Sequence, residues 1–141
     1  MVLGADTKKI RTSDSIKLIE YTYKNYELLD LDKLVKDEYE NWNKLNSNRI
    51  YVYKGKDTKA QFMLGEIKYK KYPVLKDEIN NIMVDINAKY FYEAPILKNK
   101  KIGEVRVILN TREIMNTDIL NKEKIERKNA INYLKQIICV K

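Results

Sequence analysis

The chain has 141 residues, of which 44% are apolar and 34% charged, with a net charge of +8. That length supports one domain with a real core, and no run approaches the roughly 18 consecutive apolar residues of a membrane-spanning helix. With no histidine and one cysteine, Cys139, this chain alone cannot form a histidine-based triad, a His-ligated zinc site, a CxxC site or an internal disulfide.

The positive charge favours an anionic neighbour, whether a membrane, a wall polymer or nucleic acid. The plainer reading is composition: Lys is spread along the chain among Asn, Ile and Tyr, as in proteins of A/T-rich genomes. Val2-Leu3-Gly4-Ala5 reads as the stub of a strand. The opening is too short for a signal peptide, so the expectation is a piece of a longer polypeptide. Thr12 or Ser13 can cap a helix beginning near Asp14. Ile16, Ile19, Tyr23 and Tyr26 recur at helical spacing and are expected to face a core.

Asp30 can cap a second helix at 31–46, with Leu31, Leu34, Val35, Trp42 and Leu45 as its apolar stripe. Trp42 reads as a packing anchor, and Asn41, Asn43, Asn46, Ser47 and Asn48 end the helix. From Arg49 the texture becomes β. Ile50 to Tyr53 is a strand, Lys54 to Asp57 a turn, and Lys59 to Leu64 the answering strand, with a break at Gly65. Ile67 to Leu75 alternates apolar residues with Lys as far as Pro73, which places it at a sheet edge.

Asn80 to Ala88 alternates again, Ile82, Val84 and Ile86 against Met83 and Asp85. Pro95 fixes an extended segment, and Asn99 suits a left-handed turn. Gly103 opens a strand in which Val105, Val107 and Leu109 oppose Glu104 and Arg106. Asn110-Thr111 suits a two-residue hairpin turn, but Thr111, being β-branched, resists positive φ, which leaves a loop of another length open. Arg112 to Met115 is the return strand, and Ile119-Leu120 ends the last strand. Asn121 is the expected cap of a closing basic helix, Lys122 to about Val140, with Ile131, Leu134, Ile137 and Ile138 as its apolar face. Such a helix lies on an anionic membrane or packs on its own sheet.

Chemistry is scarce. The serines are Ser13, Ser15 and Ser47; none begins S-x-x-K or S-x-N, and K-T-G does not occur. No phosphate-cradling glycine loop is present. Asp37, Glu38 and Glu40 read as a solvated helix face. The one patch with recognition chemistry is Lys68-Tyr69-Lys70-Lys71-Tyr72, where Lys alternates with Tyr as in strand-stacking proteins. If that segment is a strand, Tyr69 faces away from Lys68 and Lys70. Nucleic-acid or other anionic-polymer binding is therefore the alternative reading, not the leading one. No catalytic, cofactor-binding or metal-binding residue is expected, and no cofactor.

Two groups of segments resemble a known family. Val2 to Ala5, Arg11, Asp14-Ser15 and Lys17 to Tyr21 resemble the last strand and helix of the catalytic domain of serine-type D-Ala-D-Ala carboxypeptidases, the low-molecular-mass penicillin-binding proteins. Glu93 to Ile96, Lys101 to Gly103 and Glu104 to Asn110 resemble the hairpin of that family's C-terminal β-sandwich. Glu126 to Lys128 and Tyr133 to Lys135 resemble its closing helix. The similarity covers about half the chain, and 28–80 align loosely. Glycine is usual where Asn99 and Thr111 stand, and 31–48 look more helical than the family's β-rich opening.

The resemblance implies a mainly β fold, a small antiparallel β-sandwich flanked by N- and C-terminal helices. Residues 1–27 would be the remnant of the catalytic domain, 28–120 the sandwich, and 121–141 a closing helix leading toward a membrane anchor. The parent would be an exported hydrolase of peptidoglycan maturation, its nucleophile N-terminal to Met1. This segment would be the non-catalytic spacer or interaction module. Its implied partners are the catalytic domain and an anionic membrane or wall polymer.

Overall fold

The computed structural model describes residues 8–138. In chain order the elements are α1 (Lys8–Asn25), β1 (Tyr26–Asp30), α2 (Leu31–Asn46), β2 (Tyr51–Tyr53), β3 (Phe62–Leu64) and β4 (Lys71–Leu75). A 3-10 turn (Lys76–Asn81) leads to β5 (Ile82–Ala88), β6 (Phe91–Glu93), β7 (Lys101–Leu109), β8 (Arg112–Asn121) and α3 (Ala130–Ile138). The fold is β-rich, with antiparallel sheets and a helix at each end.

The centre is the antiparallel sheet β3-β8-β7-β5. Alternation along β7 and β8 sends Val105, Val107, Met115, Thr117 and Ile119 inward, as side chains two residues apart share a face. Onto that face pack Leu31, Val35 and Tyr39 of α2, with Val52, Ala94, Ile96 and Ile125 from the second layer. Two smaller sheets complete it: antiparallel β1-β4 and parallel β2-β6.

The β7-β8 hairpin closes with Leu109 opposite Arg112, leaving Asn110-Thr111 as a two-residue loop. Asn110 takes positive φ (56°) and Thr111 does not, which removes the steric objection to a β-branched residue there. Asn99 likewise adopts φ of 61°. At Gly103 the β5 backbone comes close: a Cβ would lie 2.6 Å from the Asn87 carbonyl oxygen.

The second helix forms as expected. Asp30 is its N-cap, its carboxylate accepting from Lys33 N–H at 3.0 Å. The carbonyl of Lys70 takes the N–H groups of Leu31 (2.9 Å) and Asp32 (3.4 Å), so three of the four orphan donors of the helix start are satisfied. Leu31 and Val35 are fully buried, but the inward residue one turn on is Tyr39, while Leu45 is exposed.

Other expectations need correction. Helix α1 already runs at Lys8, and the Thr12 hydroxyl donates to the Lys8 carbonyl at 3.0 Å, so Thr12 is interior and not a cap. None of its described residues is buried, and Ile16, Ile19 and Tyr23 are exposed instead of facing a core. Leu18 and Tyr21 fall off their line, so the apolar residues are spread around the helix and make no clean stripe. Tyr26 belongs to β1.

The 50–64 hairpin is also replaced. A short turn joins Tyr51 to Lys59 by a single bridge, after which β3 pairs with β8 and β2 pairs in parallel with β6. Alternation reports which residues share a face, not which strand lies alongside. The Ile67–Leu75 strand begins only at Lys71 and pairs with β1, Pro73 opposite Leu28. The strand expected from Asn80 starts at Ile82, after the 3-10 turn.

The closing helix starts later than expected. Asn121 is the last residue of β8, fully buried, its amide donating to the carbonyls of Leu97 (3.2 Å) and Glu123. Residues 122–129 are not helical: a bend at Lys122–Glu123 leads to bridges from Ile125 to Ile96 and from Arg127 to Gly55. The side chain that caps α3 is Asn129, whose Oδ1 accepts from Asn132 N–H at 3.0 Å. Both asparagines have the right chemistry; the apolar Ile125, needed in the core, decides between them.

Candidate functional site

The residues singled out for chemistry do not converge. Ser15 donates to the Arg11 carbonyl at 2.8 Å within α1, and Asp37, Glu38 and Glu40 are exposed along α2. Among the described residues no group of three acidic or cysteine side chains is placed to hold a metal.

The Lys68–Tyr72 segment is divided by the fold. Lys68, Tyr69 and Lys70 lie in an irregular stretch before β4, exposed together. Tyr72 packs against the core. The tyrosines are therefore separated, but Tyr69 shares solvent with the lysines, contrary to the strand reading. The backbone of Lys70 holds the start of α2, which gives the segment a structural task.

A groove of about 400 Å³ runs beside α2, lined by Asp32, Lys36, Tyr39, Glu40, Leu64 and Ile67. Lys36 and Asp32 are ion-paired at its rim (2.6 Å). The Tyr39 hydroxyl is buried without a hydrogen-bond partner, and burial pushes its pKa up to about 12 because the charged form is desolvated. Tyr39 and Trp42 stack with centroids 6.1 Å apart, so Trp42 is the packing anchor expected of it.

The outer face of β2-β6 is different. In the parallel register Tyr51 lies opposite Phe91 and Tyr53 opposite Glu93, and alternation turns all four outward. The Tyr51 and Phe91 rings are 6.4 Å apart at 20° to each other. Lys54 sits 4.8 Å from the Tyr53 ring centroid and donates to Glu93 at 2.8 Å. That hydrogen bond, with the attraction of the ammonium, holds the Glu93 carboxyl below its ordinary range and raises Lys54. Sequence reading placed Tyr51 and Tyr53 in a strand but attached no role to them. The alternation Tyr-x-Tyr was visible; the pairing with Phe91 was not.

On α3, Ile131, Leu134 and Ile138 are exposed. Among the described residues no helix is long and apolar enough to cross a membrane.

These features define a β-rich domain with exposed apolar residues on its outer strands and terminal helices. A profile of the family described as penicillin-binding protein 5, C-terminal domain, matches residues 30–127. The chain belongs to that family. The match runs through 30–80, where the residue-level resemblance was loose.

Among solved structures the chain is similar to penicillin-binding protein 5 from Haemophilus influenzae, with a TM-score of 0.52 and 17% identity over 89% of this chain and 34% of that one. It is also similar to a D-alanyl-D-alanine carboxypeptidase from Francisella tularensis, with a TM-score of 0.48 and 18% identity over 90% and 29%. The chain thus spans about a third of the structures it matches. Among curated proteins no relative matches.

Proposed function

We propose that this chain is the non-catalytic C-terminal module of a serine-type D-Ala-D-Ala carboxypeptidase of the cell envelope. It acts as the spacer between a catalytic domain and the membrane surface. The observation that carries the reading is the family match over 30–127. In this reading the acyl-serine chemistry of peptidoglycan trimming belongs to the catalytic domain of the parent, and the module sets where that domain sits.

Two surfaces support the division of labour. The exposed Ile131, Leu134 and Ile138 of α3 have the apolar character of a helix lying in a lipid interface. The exposed Ile16, Ile19 and Tyr23 of α1 offer apolar area to a neighbouring domain. Between them the sheet core supplies stiffness.

The test is flotation of the purified chain with vesicles containing anionic lipid. The intact chain is expected to float with anionic vesicles at low salt, and a chain ending at Asn129 is expected to stay behind. Equal flotation of both, or none of the intact chain, would remove the membrane half of the proposal.

A further inference from the structure

We infer that the free edge of β5 is a self-association surface, on which a second copy of this chain adds its own β5, antiparallel, about a two-fold axis through Val84. The inference does not depend on the membrane or spacer role. Three observations carry it.

The first is that the edge is open and unguarded. Strand β5 pairs with β7 on one side and, among the described residues, with no strand on the other. Its seven residues run beside β7 without a register shift and include no lysine or proline. Native edges are blunted by such residues, by bulges or by brevity. The other edges of this molecule follow that rule: β2, β3 and β6 have three residues each, and the β1-β4 ribbon carries Glu27, Asp30, Lys71 and Pro73. The one charge on β5, Asp85, is already taken by Arg106 directly across the ladder.

The second is what the edge presents. The Asn110 N–H donates to the Asn81 carbonyl at 3.2 Å, which fixes the phase of the ladder, so Met83, Asp85 and Asn87 turn their backbone groups to β7. Val84 and Ile86 turn theirs to the open side. Ile82 turns the same way, its N–H spent on the Ile79 carbonyl and its own carbonyl left over. The side chains agree with the backbone. Val105 and Val107 are 0% exposed, while their partners on β5, Ile86 and Val84, are only partly covered. The inner apolar row stops where one more strand would continue it.

The third is self-complementarity, which selects a second copy as the occupant. An axis through Val84 sets Val84 against Val84 and Ile82 against Ile86, so the inner row continues as β-branched cross-strand pairs. The two Val84 residues exchange both N–H···O=C bonds, and each Ile86 N–H meets the leftover Ile82 carbonyl of the other copy. On the outer row Met83 then faces Asp85. Moving the axis to Asp85 would place two carboxylates directly opposite each other, which is destabilising. Charge and the spent Ile82 N–H thus favour one register, and in it the segment Ile82–Ile86 reads as its own partner.

The experiment is sedimentation equilibrium of the full chain from about 10 μM to about 1 mM, a range set by a contact at the low end of interface sizes. Thermal unfolding of each variant is the folding check. A concentration-dependent dimer is expected. Val84→Pro deletes an N–H that β7 does not use, a position where an edge strand tolerates proline, and is expected to weaken the dimer by about tenfold or more. Met83 is 57% exposed, so its variants leave the core alone. Met83→Glu, facing Asp85, is expected to weaken the dimer by about threefold and Met83→Lys to tighten it by about as much, since two such pairs form per dimer. Phe91→Ala and Leu134→Ala, on other surfaces, are expected to dimerise like the parent. Monomer at every concentration would overturn the proposal. So would a dimer indifferent to Val84→Pro in folded protein, or one lost in Phe91→Ala or Leu134→Ala. Met83→Glu and Met83→Lys shifting association equally would overturn the register, and with it the two-fold axis through Val84.

Discussion

Replacing Asp30 by alanine isolates the device that starts α2. Of the helix's free N–H groups, Leu31 and Asp32 give theirs to the Lys70 carbonyl, and Lys33 gives its own to the Asp30 carboxylate at 3.0 Å. The substitution removes only the last of these, and Lys33 is exposed, so water takes over the orphan donor. The expected cost is therefore about 1 kcal/mol, the middle of the range for lost caps. Asp30→Asn keeps an acceptor but loses the carboxylate charge beside the helix N-terminus, and is expected to cost about 0.5 kcal/mol. Urea unfolding reads both, with an unchanged slope and a shifted midpoint. A loss below about 0.3 kcal/mol in the alanine variant would show that Lys70 alone fixes the helix start. A loss above about 3 kcal/mol would mean that Leu31 and Val35 leave the core when the cap goes.

Further predictions follow from the core and from pH. Leu31→Ala, at a fully buried position, is expected to cost about 3 kcal/mol in the same assay. Gly103→Ala is expected to destabilise by about 1–3 kcal/mol, because the new Cβ meets backbone at Asn87 and the Ala88 Cβ at 2.9 Å; thermal unfolding checks it. Tyr39→Phe removes a buried hydroxyl without a partner and is expected to stabilise the chain by about 1 kcal/mol. Since burial raises the Tyr39 pKa from 10.0 to about 12, the parent keeps its full stability below pH 10 and loses part of it as pH rises through 12. The variant's stability should therefore fall less over that window, measured by urea midpoints. Glu93 and Glu126 are held below their ordinary range by Lys54 and by Lys56 with Lys124. Their contribution is present above the usual glutamate pKa and is lost as pH falls below it. Glu93→Gln combined with Glu126→Gln should flatten the acid limb of a plot of Tm against pH.

Much of the fold could be read locally. The β7-β8 hairpin follows from strict alternation around Val105 and Val107 and from an asparagine that tolerates positive φ. The Asp30 cap and the Leu31–Val35 stripe fix α2 almost to the residue. What failed was non-local. Nothing in Tyr51–Tyr53 reveals that its partner is the parallel strand at Phe91, and the turn after it suggested the wrong hairpin. Asn121 and Asn129 are equally good caps by type. The choice depends on Ile125 reaching the core beside Ile96, a tertiary demand. The exposed apolar residues of α1 and α3 illustrate the same limit: helical spacing marks side chains able to be covered, not the surface that covers them.

The surface reading followed the same pattern. The Lys68–Tyr72 residues adjoin in sequence, yet the fold gives Tyr72 to the core and the Lys70 carbonyl to α2. The Tyr51–Phe91 ring pair assembles from residues about forty positions apart, so only the strand register brings it into view.

The module proposed above positions an active site and performs no acyl transfer itself. Incubating the folded chain with a fluorescent penicillin, and resolving it under denaturing conditions, tests that claim most directly. No covalent label is expected, alongside full labelling of an intact carboxypeptidase in the same gel. Stoichiometric label on this chain, lost on replacing Ser13, Ser15 or Ser47, would contradict it.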